Sequence, residues 1–217
     1  MRLFSYFRSS SAWRVRIALN YKQVPHQLVP VHLLRGGGEQ HATEFRALSP
    51  LGQVPVLELP GVDGPLYLTQ SMAIVEYLEE VYPDPTLLPA SAELRARTRE
   101  LAEIVNAGIQ PLQNLRLQQE LRARGLDPVP LVRAGIEAGL SALERRAATL
   151  AGRFLVGDAV SMADVLLVPQ LYVARRHGVA VEAFPTLLRA ERAAAELPAF
   201  QGARPEAQPD YEHNPPA

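Results

Sequence analysis

The stretch from Arg2 to Leu19, RLFSYFRSSSAWRVRIAL, decides the fold of the N-terminal third. From Arg2 to Tyr6 it alternates, with Leu3 and Ser5 on one face and Phe4 and Tyr6 on the other, which is the period of a short strand. Ser9, Ser10 and Ser11 follow, a cluster of the residue types that open helices. Trp13, Ile17 and Tyr21 then recur at helical spacing, and Val15, Ala18 and Leu19 widen the apolar stripe. Pro25 ends this helix, and Gln27 to Leu34 reads as a second strand. Strand, helix and strand imply a parallel pair with a right-handed crossover.

Outward from there, Gly36, Gly37 and Gly38 predict a mobile loop, and Gln40 to Leu48 a short helix. Val54 to Leu59 and Leu66 to Leu68 flank the turn Gly61 to Pro65 and read as a hairpin. Ser71 is expected to cap a helix carrying Met72, Ile74, Val75, Leu78 and Val81, which stops at Tyr82-Pro83-Asp84-Pro85. The order is βαβαββα. Beyond the Pro-rich segment the pattern is almost entirely helical: Glu93 to Arg124 interrupted at Pro111, Pro130 to Leu150, an apolar helix behind Ser161-Met162-Ala163-Asp164, and a last helix from Pro185 to about Leu197. Ser161 and Asp164 have the spacing of a capping box. The division is therefore an α/β domain over 1–83, a linker over 84–91, an all-α domain over 92–202 and a frayed, Pro-rich tail over 203–217.

Composition narrows the chemistry. The 217 residues are 47% hydrophobic and 21% charged, an ordinary globular balance. Cysteine is absent, which removes disulfides, cysteine nucleophiles and thiolate-bound metals, and no metal site is expected. The net charge of -1 argues against a nucleic-acid binder. No apolar run approaches the ~20 residues of a membrane span, and the N-terminus lacks the layout of a signal peptide, so a cytoplasmic protein is expected. The charge is uneven, however. Arg2, Arg8, Arg14, Arg16, Lys22 and Arg35 precede the first acid, Glu39. That is either a solvated basic face or the surroundings of a small anion.

Three places are candidates for chemistry. Ser9, Ser10 and Ser11 stand where a strand meets a helix N-terminus; they either cap the helix only, or add hydroxyl donors to a site that lowers the pKa of a thiolate. No Gly-x-Ser-x-Gly elbow surrounds them, which argues against a serine hydrolase. Val54-Pro55 enters a strand, and a cis bond there would turn the Val54 N–H and C=O toward a ligand. Gln70-Ser71 starts a helix and either caps it or grips a carboxylate.

Taken together these segments resemble the zeta class of the glutathione transferases, the group that includes maleylacetoacetate isomerase. Tyr6 to Leu19 is similar to the zeta signature SSCxWRVRIAL, and Gln53-Val54-Pro55, Gln70-Ser71, Ile109 to Leu115, Val156-Gly157-Asp158, Ser161 to Asp164, Val168-Pro169-Gln170 and Gln208-Pro209-Asp210 match in order. The resemblance implies a thioredoxin-like N-terminal domain, an all-helical C-terminal domain, glutathione as cofactor and a homodimer. It implies Ser9 and Ser10 at the glutathione sulfur, Gln40 and Val54 on its cysteinyl and glycyl parts, and Gln70 and Ser71 at its γ-glutamyl end. It also implies that Gln110 reaches the same site from the helical domain. Ser11 stands in the place of the signature cysteine, which excludes any mechanism that needs the enzyme's own thiol there.

The implied reaction is the cis–trans isomerisation of maleylacetoacetate or a similar maleyl keto acid such as maleylpyruvate. The other readings are conjugation or dehalogenation of small α-halo acids, and a non-catalytic binding protein of the same fold. For an anionic keto-acid substrate, arginine forks suit the carboxylates. Arg8, Arg116 and Arg176 stand where maleylpyruvate isomerases of this class carry arginines. Arg8 could instead pair with the other subunit, Arg116 could be solvated, and Arg175 could be the inward residue in place of Arg176.

Overall fold

The computed structural model describes residues 1–211, which form two compact units: 1–86 with the chain from Leu197 onward, and Leu87–Glu196. The first unit contains β1 (Arg2–Ser5), α1 (Ser10–Tyr21), β2 (Gln27–Pro30), α2 (Thr43–Leu48), β3 (Val56–Leu59), β4 (Leu66–Thr69) and α3 (Ser71–Val81), the expected βαβαββα order. The sheet order is β2-β1-β3-β4, with β1 parallel to β2 and the other neighbours antiparallel. Leu3, Val56 and Leu57 of the sheet, Val15, Ile17 and Leu19 of α1, and Ile74, Val75 and Leu78 of α3 are all fully buried. Each contributes about 1.5–3 kcal/mol by leaving water.

Polar anchors accompany this core. The Lys22 ammonium, just past α1, donates to Glu79 of α3 at 2.6 Å and to the carbonyls of Tyr82 (2.6 Å) and Pro85 (3.0 Å). Thr86 donates to the other Glu79 oxygen at 2.6 Å. The pair is buried, and its desolvation is offset because every one of these partners is in hydrogen-bond reach.

Two expectations for the β2 region are corrected. β2 ends at Pro30 rather than Leu34, because the His32 Nδ1 accepts the N–H groups of Leu34 (3.2 Å) and Arg35 (2.7 Å) and curls the chain away from the sheet. The glycine segment is organised rather than open. Arg35–Gly37 and Glu39–His41 are 3-10 turns, and the Glu39 carboxylate accepts the His32 N–H at 2.7 Å. The helix expected from Gln40 therefore starts at Thr43.

The segment from Leu197 is packed through Tyr211, not frayed. A one-turn helix, Pro198–Gln201, accepts an Asn20 side-chain hydrogen bond at Ala199. Ala203, Pro205 and Gln208 are buried, and the Gln208 amide donates to the carbonyls of Gly202 and Arg204. Residues 212–217 of the expected tail lie outside the described residues.

The second unit is helical, as expected: α4 (Ala92–Glu103), α5 (Gln110–Gln113), α6 (Leu115–Ala123), α7 (Val129–Ala147), α8 (Met162–Arg176) and α9 (Pro185–Ala195). The long first helix does not break at Pro111, which sits in the first turn of α5, where its missing N–H is harmless. The interruption comes on either side. Ile104–Ile109 is a π-helical stretch, and Asn114 leaves the helix with its side chain accepting the Arg116 N–H at 2.9 Å. Gly139 and Gly135 of α7 face Ile109 and Leu112 so closely that a Cβ at either position would collide with those side chains. α8 is buried from Met162 to Ala174 except at Tyr172, and Ser161 and Asp164 form the expected capping box. Among the described residues no helix is long and apolar enough to cross a membrane.

Candidate active site

The sheet register places the N-terminal candidates at one edge. Phe4 of β1 is opposite Val56 of β3, Val56 is opposite Thr69 of β4, and Ser5 is opposite Pro30 of β2. The residues that follow β1, precede β3, follow β4 and follow β2 therefore leave the sheet on the same side. These are the serine turn, Val54-Pro55, Gln70-Ser71 and the segment reaching Gln40.

Ser9 is the N-cap of α1. Its Oγ accepts the Ala12 N–H at 3.2 Å, its carbonyl accepts the Trp13 N–H at 2.9 Å, and its own N–H donates to the Tyr6 carbonyl at 3.0 Å. A hydroxyl that accepts in this way still has a proton to donate, so capping and a role toward an anion are compatible. Ser10 is buried, and Ser11 is half-buried in the first turn, whose N–H groups have no acceptor within the helix. The first turn holds no acidic side chain that would neutralise the positive end of the dipole.

Gln40 is 4% exposed; its Nε2 donates to the Leu33 carbonyl at 3.1 Å and lies 3.1 Å from the His41 Nε2. Its Oε1 is buried without a hydrogen-bond partner. Such an acceptor is costly in an empty protein and fits a ligand donor. A Cβ at Gly38, whose φ is +103°, would lie 2.5 Å from the Gln40 amide, so glycine there makes room for it.

The Val54–Pro55 bond is cis. The preceding loop is closed by Ser49, whose hydroxyl donates to the Gln53 carbonyl at 2.9 Å and accepts the Gln53 N–H at 3.1 Å. Val54 takes no part in those bonds. Ser49 escaped the sequence reading; its only signal was a small polar residue before Pro50.

Gln70 has φ +68°, a left-handed conformation that a residue with a Cβ adopts at a cost. It, rather than Ser71, is the N-cap of α3, and its exposed side chain makes no capping bond. The Ser71 hydroxyl is buried and accepts from the Arg14 Nη1 at 3.2 Å, which corrects the expectation that Ser71 caps the helix with its side chain. Arg14, fully buried on α1, thus links the serine helix to the start of α3.

The remaining candidates, apart from the half-buried Arg8 beside Ser9, stand on the second unit. Gln110 opens α5, and its Oε1 accepts from the Gln113 Nε2 at 2.9 Å. Gln113 and Gln170 exchange hydrogen bonds at 2.9 and 3.0 Å, joining α5 to α8. Arg116 is exposed in the first turn of α6, and Arg176 is the last residue of α8. Arg175 is held by Glu191 of α9 through two bonds of 2.6 Å, so Arg176 is the member of the pair outside that bridge. Next to it, His177 is half-buried; burial first, and then the nearby Arg176 and Arg122, hold its pKa below the usual imidazole value. Among the described residues no three His, Asp or Glu side chains are grouped to hold a metal.

A family model described as the glutathione S-transferase N-terminal domain matches residues 8–81, and one described as the C-terminal domain matches 93–208. The chain is 43% identical over 208 residues to the maleylacetoacetate isomerase of Rattus norvegicus, covering 96% of this chain and 94% of that protein. It is similar to the crystal structure of maleylacetoacetate isomerase from Anaeromyxobacter dehalogenans 2CP-1 with bound GSH in the active site, with a TM-score of 0.90, 47% identity and 97% of each chain covered. It is also similar to the holo structure of maleyl pyruvate isomerase, a bacterial zeta-class protein, with a TM-score of 0.91, 41% identity, and 98% of this chain and 100% of that one covered.

Proposed function

The chain belongs to the glutathione S-transferase family, and on that premise we propose that it is a glutathione-dependent cis–trans isomerase of maleylacetoacetate or a similar maleyl keto acid such as maleylpyruvate. The observation that supports this is that the serine N-cap and the left-handed Gln70 turn stand at the same end of the sheet, together with the buried Gln40 amide oxygen that has no hydrogen-bond partner. Bound glutathione supplies a sulfur nucleophile whose reversible addition makes a conjugated cis double bond single and free to turn.

The chain's own residues set the conditions for that chemistry. The Ser9 hydroxyl, assisted by Ser10 and by Ser11 in the first turn of α1, donates to the sulfur, and the positive end of α1 favours the thiolate. Gln40 offers its Oε1, and Val54 its backbone groups, to the cysteinyl and glycyl parts. Gln70 and Ser71 hold the γ-glutamyl end, and Gln110 is a further glutathione-binding residue. Arg8, Arg116 and Arg176 receive the substrate carboxylates and the developing enolate charge. The enzyme acts as a cytoplasmic homodimer.

The test is turnover of maleylacetone, a cis enone diketo acid, with and without glutathione. Isomerisation only with glutathione is expected. Glutathione binding without turnover would move the activity to conjugation of α-halo acids, and failure to bind glutathione would leave a non-catalytic member of the fold.

A further inference from the structure

The serine turn is braced from the far end of the chain. The Asp210 Oδ2 accepts the Phe7 N–H at 2.9 Å. The Phe7 carbonyl receives the Arg16 Nη2 at 2.9 Å, so both hydrogen-bonding groups of Phe7 are fixed. Arg16, 1% exposed, also donates to the Ser5 Oγ (2.9 Å), the Tyr6 carbonyl (3.3 Å) and, through Nε, the Ala203 carbonyl (3.1 Å). The same Tyr6 carbonyl accepts the Ser9 N–H. The Tyr211 ring meets the Phe7 ring edge-on, with centroids 5.6 Å apart. Burial pulls the Arg16 pKa down to about 9, while Asp210 pushes it the other way, which keeps the guanidinium charged at neutral pH.

We propose that Asp210 is a positioning residue for the serine turn, acting through its hydrogen bond to the Phe7 N–H so that the Ser9 hydroxyl is held where it can stabilise a thiolate. This rests on the thiolate reading of Ser9. The physical warrant is that only Arg8 and Ser9 separate Phe7 from the first residue of α1, and the Tyr6–Phe7 peptide, held by Asp210 at its N–H and by Arg16 at its carbonyl, cannot rotate without breaking a buried Arg16 bond. A displacement of the order of 1 Å at a reacting group is enough to slow chemistry strongly. A carboxylate that merely tied down the chain end would matter for unfolding and not for thiol ionisation.

The experiment compares the full-length protein with Asp210→Ala, Asp210→Asn and Ser9→Ala. For each, kcat and KM for maleylacetone, glutathione affinity by calorimetry, and the pH titration of bound glutathione by its thiolate absorbance are measured. Asp210→Ala is expected to lower kcat on the order of tenfold, to move the thiol pKa upward, and to change glutathione affinity less than threefold. Asp210→Asn keeps an acceptor oxygen and is expected to restore most of the loss. Unchanged kcat and thiol pKa in Asp210→Ala, or equal loss in Ala and Asn, would overturn the proposal while an impaired Ser9→Ala left the thiolate reading intact. An unimpaired Ser9→Ala would overturn both. If Asp210→Ala does not fold, Asp210→Glu, which moves the acceptor by one methylene, is measured by the same titration; an unshifted thiol pKa there overturns the proposal.

Discussion

Asp164 offers the sharpest calculation. Its carboxylate is fully buried and accepts the Leu155 N–H (2.9 Å), the Ser161 N–H (2.9 Å) and the Ser161 hydroxyl (2.7 Å). Asp164→Ala strands two buried backbone donors at about 1–3 kcal/mol each, while the hydroxyl can rotate to another acceptor, so the loss is ~2–6 kcal/mol. The loss also depends on pH. Burial outweighs the hydrogen bonds and raises the Asp164 pKa from 3.8 to about 6. With the folded value above the unfolded one, the stability that Asp164 supplies is complete below the unfolded pKa and declines as pH rises toward the folded one. Linkage over that interval makes the wild type gain roughly 1–1.5 kcal/mol on going from about pH 7.5 to about pH 5, a gain absent in Asp164→Ala. The gap between the two proteins therefore widens on acidification. Urea unfolding at both pH values, followed by far-ultraviolet circular dichroism, reads this gap. A gap below about 1 kcal/mol, or one that widens toward high pH, would refute the reasoning.

Other expectations follow from single contacts. Ser10→Ala should lower kcat more than it weakens glutathione binding, read by steady-state kinetics beside calorimetry; an unchanged kcat removes its role at the sulfur. Arg176→Ala should raise KM for the keto acid and leave glutathione affinity alone, whereas Arg175→Ala should do neither and cost at most ~1 kcal/mol of stability, because the Arg175–Glu191 bridge is partly exposed. Gly38→Ala should weaken glutathione binding on the order of tenfold, equivalent to ~1.4 kcal/mol, by displacing Gln40; calorimetry giving wild-type affinity would refute that. Lys22→Met should destabilise by ~3–5 kcal/mol in urea unfolding, since it leaves Glu79 buried beside two carbonyls without their donor.

Local periodicity and cap chemistry determined a good deal without the structure. Alternation over Arg2 to Tyr6, the serine cap, the hairpin around Gly61 and the Ser161–Asp164 box are short-range signals, because each depends on residues within about one turn or one strand. The ordered motif set from Tyr6 to Asp210 likewise carried the family and its cofactor. What the tertiary structure decided is what depends on distant partners. β2 stops early because a side chain, His32, competes for backbone donors. Ser71 does not cap its helix because the chain turns one residue earlier, at Gln70, and its hydroxyl accepts instead from Arg14, 57 positions away. The residues after Gly202 read as a loose tail, since Pro and polar residues have no periodicity, yet Arg16 needs acceptors in the core and the Ala203 carbonyl is one of them. Gln40, Val54, Gln70 and the serines are far apart in sequence and share no local pattern. That the segments carrying them leave the same end of the sheet is a consequence of strand register, in which Phe4, Val56 and Thr69 form one row, and register is fixed only when the faces of the sheet are buried.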